Sequence, residues 1–151
     1  MARFKYSMQN ILNIAIKMET QAKQEFSQAA NALADEEARL QALLDRKAEL
    51  FEESRRLLSG VLNFRDIEDN KLSSDINDEK IHVQREMVHR AELRLDEARE
   101  HLREMMTERK THETLKDKAF QEFLKEENRA ESKAIDELTS YTYGQKTKEK
   151  G

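Results

Sequence analysis

The chain of 151 residues is 38% charged and 37% hydrophobic, and it contains three glycines but no proline, cysteine or tryptophan. The absence of cysteine excludes disulfides and thiolate chemistry. The scarcity of proline and glycine argues against folds with many strands or loops. The expected class is therefore a long helical protein. With 31 acidic and 27 basic residues the formal net charge is −4, which argues against nucleic-acid binding because that function needs clustered cations.

The first 24 residues are basic and apolar. They carry Arg3, Lys5, Lys17 and Lys23 against Glu19 alone. The uncharged run between Lys5 and Lys17 is too short to cross a bilayer, which takes about 20 apolar residues, and no convincing cleavage site for a signal peptide follows it. We therefore expect no transmembrane segment. We expect this segment either to pack on another helix or to dock, as a basic amphipathic helix, on an acidic protein or a membrane surface.

Apolar residues then follow a seven-residue repeat. From Met8 to Phe64 the repeat has seventeen positions, of which thirteen are apolar. Alternating steps of three and four residues over this length are typical of a coiled-coil seam. The spacing predicts a first helix over about residues 5–59.

Gly60 lies between two apolar registers and suits the left-handed conformation that often follows a helix end. Asn63 is a good N-cap residue for a following helix, and Asp66 lies in its first turn, where negative charge is favourable. The sequence therefore predicts a turn at about residues 60–63. The polar stretch 69–78 is a competing turn, which we disfavour because the second register continues through it.

The second register runs from Ile67 to Leu102 and predicts a second helix over about residues 64–141. The pattern then weakens, and an apolar face reappears one residue later in the repeat at Phe120, which predicts a local change in the supercoil. Residues 142–151 are predicted to form a flexible tail. Because the turn is short, the helices must be antiparallel neighbours. We predict a single-domain all-α fold, a long antiparallel two-helix coiled-coil hairpin whose second helix is longer than the first.

Catalytic groupings are nearly absent from the sequence. Two segments, Glu79-x-x-His82 and Glu86-x-x-His89, match the spacing that di-iron helix bundles use. Such sites need the motifs on different helices, whereas here both lie on one helix and each histidine directly follows a seam residue. We therefore predict no metal site, no cofactor and no enzymatic activity.

Apolar residues outside the two seams indicate further contacts near the turn. A two-helix seam leaves such residues exposed unless something covers them. We expect them either to widen the seam or mediate self-association, or to form a patch that binds a partner. They are Leu72, Ile76 and Val83 on the second helix and Leu44, Phe51 and Leu58 on the first.

Two short motifs stand near the ends of the sequence. Residues 4–14 read Phe-Lys-Tyr-Ser-Met-Gln-Asn-Ile-Leu-Asn-Ile, followed by Glu19 and Ala22, and residues 131–137 read Glu-Ser-Lys-Ala-Ile-Asp-Glu, followed by Tyr141. The first resembles the aromatic lead and Leu-Gln-x-Leu-Leu-like run that open the flagellar export protein FliJ family, and the second resembles the Glu-x-Lys-x-Leu-Asp-Glu close of that family. Length and expected fold also match, so the resemblance covers nearly the whole chain.

The resemblance implies a stalk-like component of flagellar type III protein export, with a role in motility and chemotaxis. The implied partners are the hexameric export ATPase FliI, the cytoplasmic domain of the export-gate protein FlhA, and export chaperones. The implied location is cytoplasmic, peripherally associated with the cytoplasmic face of the cell membrane at the flagellar base.

The resemblance also implies which residues meet these partners. Several positions of the implied gate surface are aromatic or histidine in the family, whereas here they are aliphatic or acidic. The implied gate-binding residues are Leu43, Leu50, Leu72, Ile76, Glu79 and Val83. The implied residues at the ATPase ring are Phe4, Tyr6, Met8, Ile11, Leu12, Phe120, Leu124, Leu138 and Tyr141.

Two other functions remain open at the level of sequence. The chain could be a structural coiled-coil tether or scaffold that self-associates and has no ATPase partner. Residues 1–24 could instead bind a lipid surface, which predicts vesicle binding that salt abolishes.

Overall fold

The computed structural model describes residues 2–149, which form two α-helices. Helix α1 is Gln9–Leu57, with 49 residues, and helix α2 is Phe64–Glu149, with 86 residues. No strand occurs among residues 2–149. The predicted fold class is confirmed: the protein is an all-α, antiparallel two-helix coiled-coil hairpin whose second helix is the longer one.

The helix ends differ from the expected ones at both termini. Helix α1 begins at Gln9 and not near residue 5, because Tyr6 turns the chain by accepting a hydrogen bond from the Gln9 amide at 3.1 Å. Helix α2 continues to Glu149 where a tail from residue 142 was expected. No proline interrupts it, and the hydroxyls of Thr142 and Thr147 donate to the Leu138 and Tyr143 carbonyls at 2.9 Å and 3.0 Å. Residues 150–151 of that expected tail lie outside the described residues.

The connection between the helices lies at Gly60. This glycine has a φ of +88°, the left-handed conformation that ends helices. Asn63 Oδ1 accepts hydrogen bonds from the amides of Arg65 at 3.1 Å and Asp66 at 3.4 Å, so it caps α2. Ser59 stabilises the chain just after the end of α1, because its hydroxyl donates a hydrogen bond to the Arg56 carbonyl at 2.9 Å. The competing segment 69–78 lies inside α2.

Replacing Gly60 with alanine should lower the free energy of unfolding by about 1 kcal/mol, because the Cβ of an L-residue makes the left-handed conformation unfavourable. A Cβ at this position meets no atom within 4 Å, so the cost arises from the backbone alone. Gly60→Asn is the matched control, because asparagine tolerates this conformation. Its free energy of unfolding should fall by clearly less than that of the alanine variant. Urea unfolding followed by circular dichroism measures both values. Equal losses in the two variants would contradict the backbone explanation.

Two compact units divide the chain. The termini unit comprises Met1–Glu19 with Met105–Gly151, and the turn unit comprises Thr20–Glu104. Each contains one stretch of α1 paired with one stretch of α2. The buried apolar residues of the termini unit are Leu12, Ala15 and Met105, and those of the turn unit are Ala22, Leu50, Ile81 and Ala91.

The α2 register of the termini unit is unbroken as far as Phe123. Buried or half-buried positions continue from Met105 in alternating steps of four and three, so the expected one-residue shift does not occur here. Phe120 stays more exposed than Phe123, which takes the seam position. Residues 128–148 of α2 are exposed along their whole length. Arg109 is a polar residue at a seam position of α2, and the seam accommodates it because its side chain makes a hydrogen-bonded ion pair with Glu19 of α1.

Candidate binding surfaces

The N-terminal segment of the termini unit is held on α2 by an aromatic cluster. The Phe4 ring lies 5.2 Å from Phe120 in an edge-on arrangement and 5.4 Å from Phe123, measured between ring centroids. Phe120 and Phe123 are themselves stacked at 6.4 Å. Pairs at these distances add to the stability that burial alone supplies. The cluster therefore holds Phe4 on α2, beside a cleft of about 460 Å³ lined by Arg3, Tyr6 and neighbouring residues.

A buried ion pair joins the two helices of the same unit. Arg109 donates a hydrogen bond to Glu19, whose side chain is 8% exposed, and a second one to Glu113 at 2.8 Å. The hydrogen bond with Glu19, followed by that with Glu113, raises the pKa of the Arg109 guanidinium. Arginine is charged at neutral pH in any protein environment, and these contacts favour its charged form further.

The residues expected at the ATPase ring fall into three groups in the structure. Leu12 is 3% exposed and belongs to the core, so it supports the surface from beneath. Phe4 and Tyr6 are half-buried against α2. The exposed members are Met8, Ile11, Phe120, Leu124, Leu138 and Tyr141.

Two residues that the sequence reasoning left out of this set also belong to the exposed apolar surface. Ile14 and Met18 are exposed on α1 and follow Ile11 at helical spacings of three and seven residues. That i, i+3, i+7 spacing is the pattern by which helices present apolar residues to a groove, so it could have identified them. Phe123 was missed because the expected register shift placed its neighbour Phe120 on the seam.

The turn unit contains a ladder of three side-chain amides that reach across the seam. Asn70 donates to the Leu50 carbonyl at 3.1 Å, and Asn77 donates to the Leu43 carbonyl at 3.0 Å. Gln84 repeats the contact with the Glu36 carbonyl at 2.9 Å. From one hydrogen bond to the next, the residue number of the donor increases by seven and that of the acceptor decreases by seven, as an antiparallel heptad pairing requires. The signal that could have found this polar ladder was the spacing of Asn70, Asn77 and Gln84.

The residues expected at the export gate are not all on one surface. Leu50 is 3% exposed and belongs to the core, whereas Leu72, Ile76 and Val83 are exposed on α2. Leu43, Glu79 and Val83 line one cleft of about 550 Å³. Leu50 lines a second cleft of about 410 Å³ together with Phe51 and Ile67, and Leu72 and Ile76 line neither. The exposed gate stripe is therefore Leu72, Ile76, Glu79 and Val83.

The histidines of the two Glu-x-x-His segments are exposed. His82 lies 3.8 Å from Glu86, and His89 lies 3.9 Å from Glu92, each on the surface of α2. No group of three or more His, Asp or Glu side chains that could hold a metal ion occurs in the part of the chain that the structure describes. Within residues 2–149, neither helix has a stretch long and apolar enough to span a bilayer.

Comparison with known proteins gives one family and one fold relative. The family model described as flagellar FliJ protein matches residues 4–148. The structure is similar to a solved structure from Chlamydia trachomatis described as a candidate YscO homologue, with a TM-score of 0.74 and 21% sequence identity, covering 93% of this chain and 96% of that one. At this identity the likeness supports the fold alone. No curated protein sequence matches the chain.

Proposed function

Because this chain belongs to the flagellar FliJ protein family, and is therefore a component of flagellar type III protein export, we propose that it is a stalk-like coiled coil that binds the export ATPase and the export gate. The termini unit binds the hexameric ATPase FliI, and the turn unit binds the cytoplasmic domain of FlhA. The observation that carries the proposal is the presence of exposed apolar residues in each unit that the two-helix seam does not use.

The termini unit supports the ATPase assignment through two kinds of surface. Its α1 stretch exposes Ile11, Ile14 and Met18 and contains Lys17, and the basic residues Arg3 and Lys5 precede α1 in the sequence. Its α2 stretch continues beyond the last seam position as a helix with Leu138 and Tyr141 exposed. A helix without a partner in its own chain can lie against another protein, and its apolar residues then become buried.

The turn unit supports the gate assignment through the exposed gate stripe. Leu72, Ile76 and Val83 share one face of α2, and the cleft beside Val83 adds Leu43 from α1. The hydrogen bonds of the polar ladder join the helices without using a residue of the stripe. Exposed apolar residues on a rigid support suit a stable contact with a partner.

The mechanism on this proposal is coupling and not catalysis. A two-helix partner lacks sixfold symmetry, so it cannot contact the six ATPase subunits equally and it biases their nucleotide states. Contact of the turn unit with the gate then links those states to export. The chain also escorts export chaperones, is itself not an enzyme, and works in the cytoplasm at the cytoplasmic face of the membrane at the flagellar base.

The test compares two triple variants against both partners. Ile11→Ser/Leu138→Ser/Tyr141→Ser should reduce the stimulation of FliI hexamerisation and turnover several-fold and leave FlhA binding intact. Leu72→Ser/Ile76→Ser/Val83→Ser should weaken binding to the FlhA cytoplasmic domain about tenfold or more and leave the ATPase effect intact. Each variant is the control for the other. Loss of both functions together in either variant, or of neither, contradicts the two-surface proposal, as does an ATPase that behaves identically with and without the wild-type chain.

The second candidate function is a self-associating coiled-coil scaffold, which the many exposed apolar residues would also support. Sedimentation velocity separates the two functions. A monomer is expected for the export component, because the polar ladder disfavours alternative pairings of the seam. A stable dimer or tetramer at micromolar concentration would favour the scaffold.

A further inference from the structure

The turn between the helices is apolar and exposed. Residues 57–64 contain eight consecutive uncharged side chains in a chain that is 38% charged. Val61 is 100% exposed, Phe64 is 73% exposed and Leu58 is 62% exposed. We call Leu58, Val61 and Phe64 the turn cluster. Turns at a protein surface are normally polar, so exposed residues of this kind are unexpected unless they are used for binding.

The conformation of the turn does not depend on the turn cluster. Gly60 supplies the left-handed backbone, Asn63 caps α2, and Ser59 bonds the Arg56 carbonyl. These polar contacts order the turn without burying an apolar side chain. A preordered turn loses little conformational entropy when it binds, which favours affinity.

Two arginines flank the turn cluster without an ion-pair partner. Arg56 and Arg65 have no carboxylate within 4.0 Å among the described residues, whereas Arg55 lies 3.4 Å from Glu52. Unpaired guanidinium groups beside an apolar cluster are complementary to an apolar depression with acidic residues at its edge.

The charges around the turn argue against binding to a lipid surface and against binding to a second copy of the chain. Residues 52–69 contain five carboxylates against three arginines, so this region as a whole is repelled by an anionic lipid surface. A symmetric contact between two copies with its twofold axis at the turn would bring Arg56 and Arg65 of one copy close to the same residues of the other, which is unfavourable. A pocket on a different protein can place its acidic groups beside the arginines alone.

We infer that the turn cluster enters an apolar pocket with an acidic rim on a partner protein, with Arg56 and Arg65 contacting the rim. This inference rests on the proposed function for the identity of the partner, which is the cytoplasmic domain of the export gate. The turn cluster is a second contact with that domain and does not include any residue of the gate stripe.

The experiment measures binding of the full-length chain to the purified FlhA cytoplasmic domain by isothermal titration calorimetry. The variant Leu58→Ser/Val61→Ser/Phe64→Ser should bind at least about tenfold more weakly than wild type, while its helical circular dichroism and Tm stay unchanged because the replaced side chains are exposed. Arg56→Glu/Arg65→Glu should also weaken binding and reduce its dependence on salt. Arg90→Glu/Arg94→Glu, at two exposed positions elsewhere in the turn unit, makes the same change in net charge, so it is the matched control and should bind as wild type does.

The outcomes separate this inference from the proposed function. Wild-type affinity in the turn-cluster variant, with weak binding in the gate-stripe variant, overturns the inference and leaves the proposed function standing. No binding by the wild-type chain overturns the proposed function and the inference together. Vesicles of phosphatidylcholine and phosphatidylserine are the second probe, and no binding is expected. Vesicle binding that the turn-cluster variant loses shows a lipid occupant and overturns the protein pocket.

Discussion

Replacing Arg109 with leucine should lower the Tm of the protein by about 5 °C or more. The Glu19 carboxylate is buried with its side chain 8% exposed, and in the wild-type chain it accepts a hydrogen bond from Arg109 across the two helices. Leucine removes this cation while the carboxylate stays in the seam, so the desolvation of Glu19 is no longer offset by that contact. Thermal unfolding followed by circular dichroism at 222 nm measures the change.

Two controls make the Arg109 prediction specific. Arg129→Leu removes an exposed ion pair, with Glu126 at 3.3 Å in the same unit, and should shift the Tm by no more than about 2 °C. The double variant Glu19→Leu/Arg109→Leu replaces the whole pair by apolar side chains and should return the Tm to the wild-type value or above it. A single Arg109→Leu variant as stable as Arg129→Leu would show that the buried pair contributes nothing.

The fold could be predicted from the sequence because it depends on spacing. A seven-residue apolar repeat interrupted at Gly60 defines two helices, and a short turn makes them antiparallel. The helix ends could not be predicted in the same way, because they depend on single contacts. The start of α1 is set by the Tyr6 carbonyl and the Phe4 ring, and both contacts are visible only when α2 lies beside the N-terminal segment.

The candidate surfaces could be predicted only in part, because a family resemblance names positions without showing which of them this chain buries in its own seam. The seven-residue repeat places Leu12 and Leu50 on the seam, whereas the family resemblance implies that they meet partners, and the structure buries both. Ile76 and Leu138 were expected to meet partners and are exposed. Whether the exposed residues bind the ATPase or the gate stays a prediction.

The polar ladder was missed because polar residues on a seam look like interruptions of the pattern. Asn70 and Asn77 are buried, and each donates its side-chain amide to a carbonyl of α1. Such contacts satisfy the buried amides, so they cost less than the polarity of the residues suggests. They also work only in one alignment of the helices, since a shift of one residue moves each amide away from its carbonyl.

Replacing the polar ladder with leucine should therefore raise stability and reduce specificity. The variant Asn70→Leu/Asn77→Leu/Gln84→Leu should have a Tm about 5–10 °C above wild type, because apolar burial gained at three seam positions exceeds the net contribution of three hydrogen bonds. The same variant should form dimers or larger species in sedimentation velocity at concentrations where the wild-type chain is a monomer. Polar seam residues in coiled coils fix register and oligomeric state at a cost in stability, and the ladder is expected to act in this way.

The matched control places three leucines at the same spacing on the outward face of α2. Asp75, His82 and His89 are exposed and repeat every seven residues, so Asp75→Leu/His82→Leu/His89→Leu adds the same apolar side chains without changing the seam. Its Tm should not rise, because its leucines stay in contact with water. If the ladder variant remains a monomer, the turn at Gly60 is sufficient to align the helices. If its Tm falls, the three hydrogen bonds contribute more to stability than apolar burial at the same positions, and the ladder would then stabilise the turn unit directly.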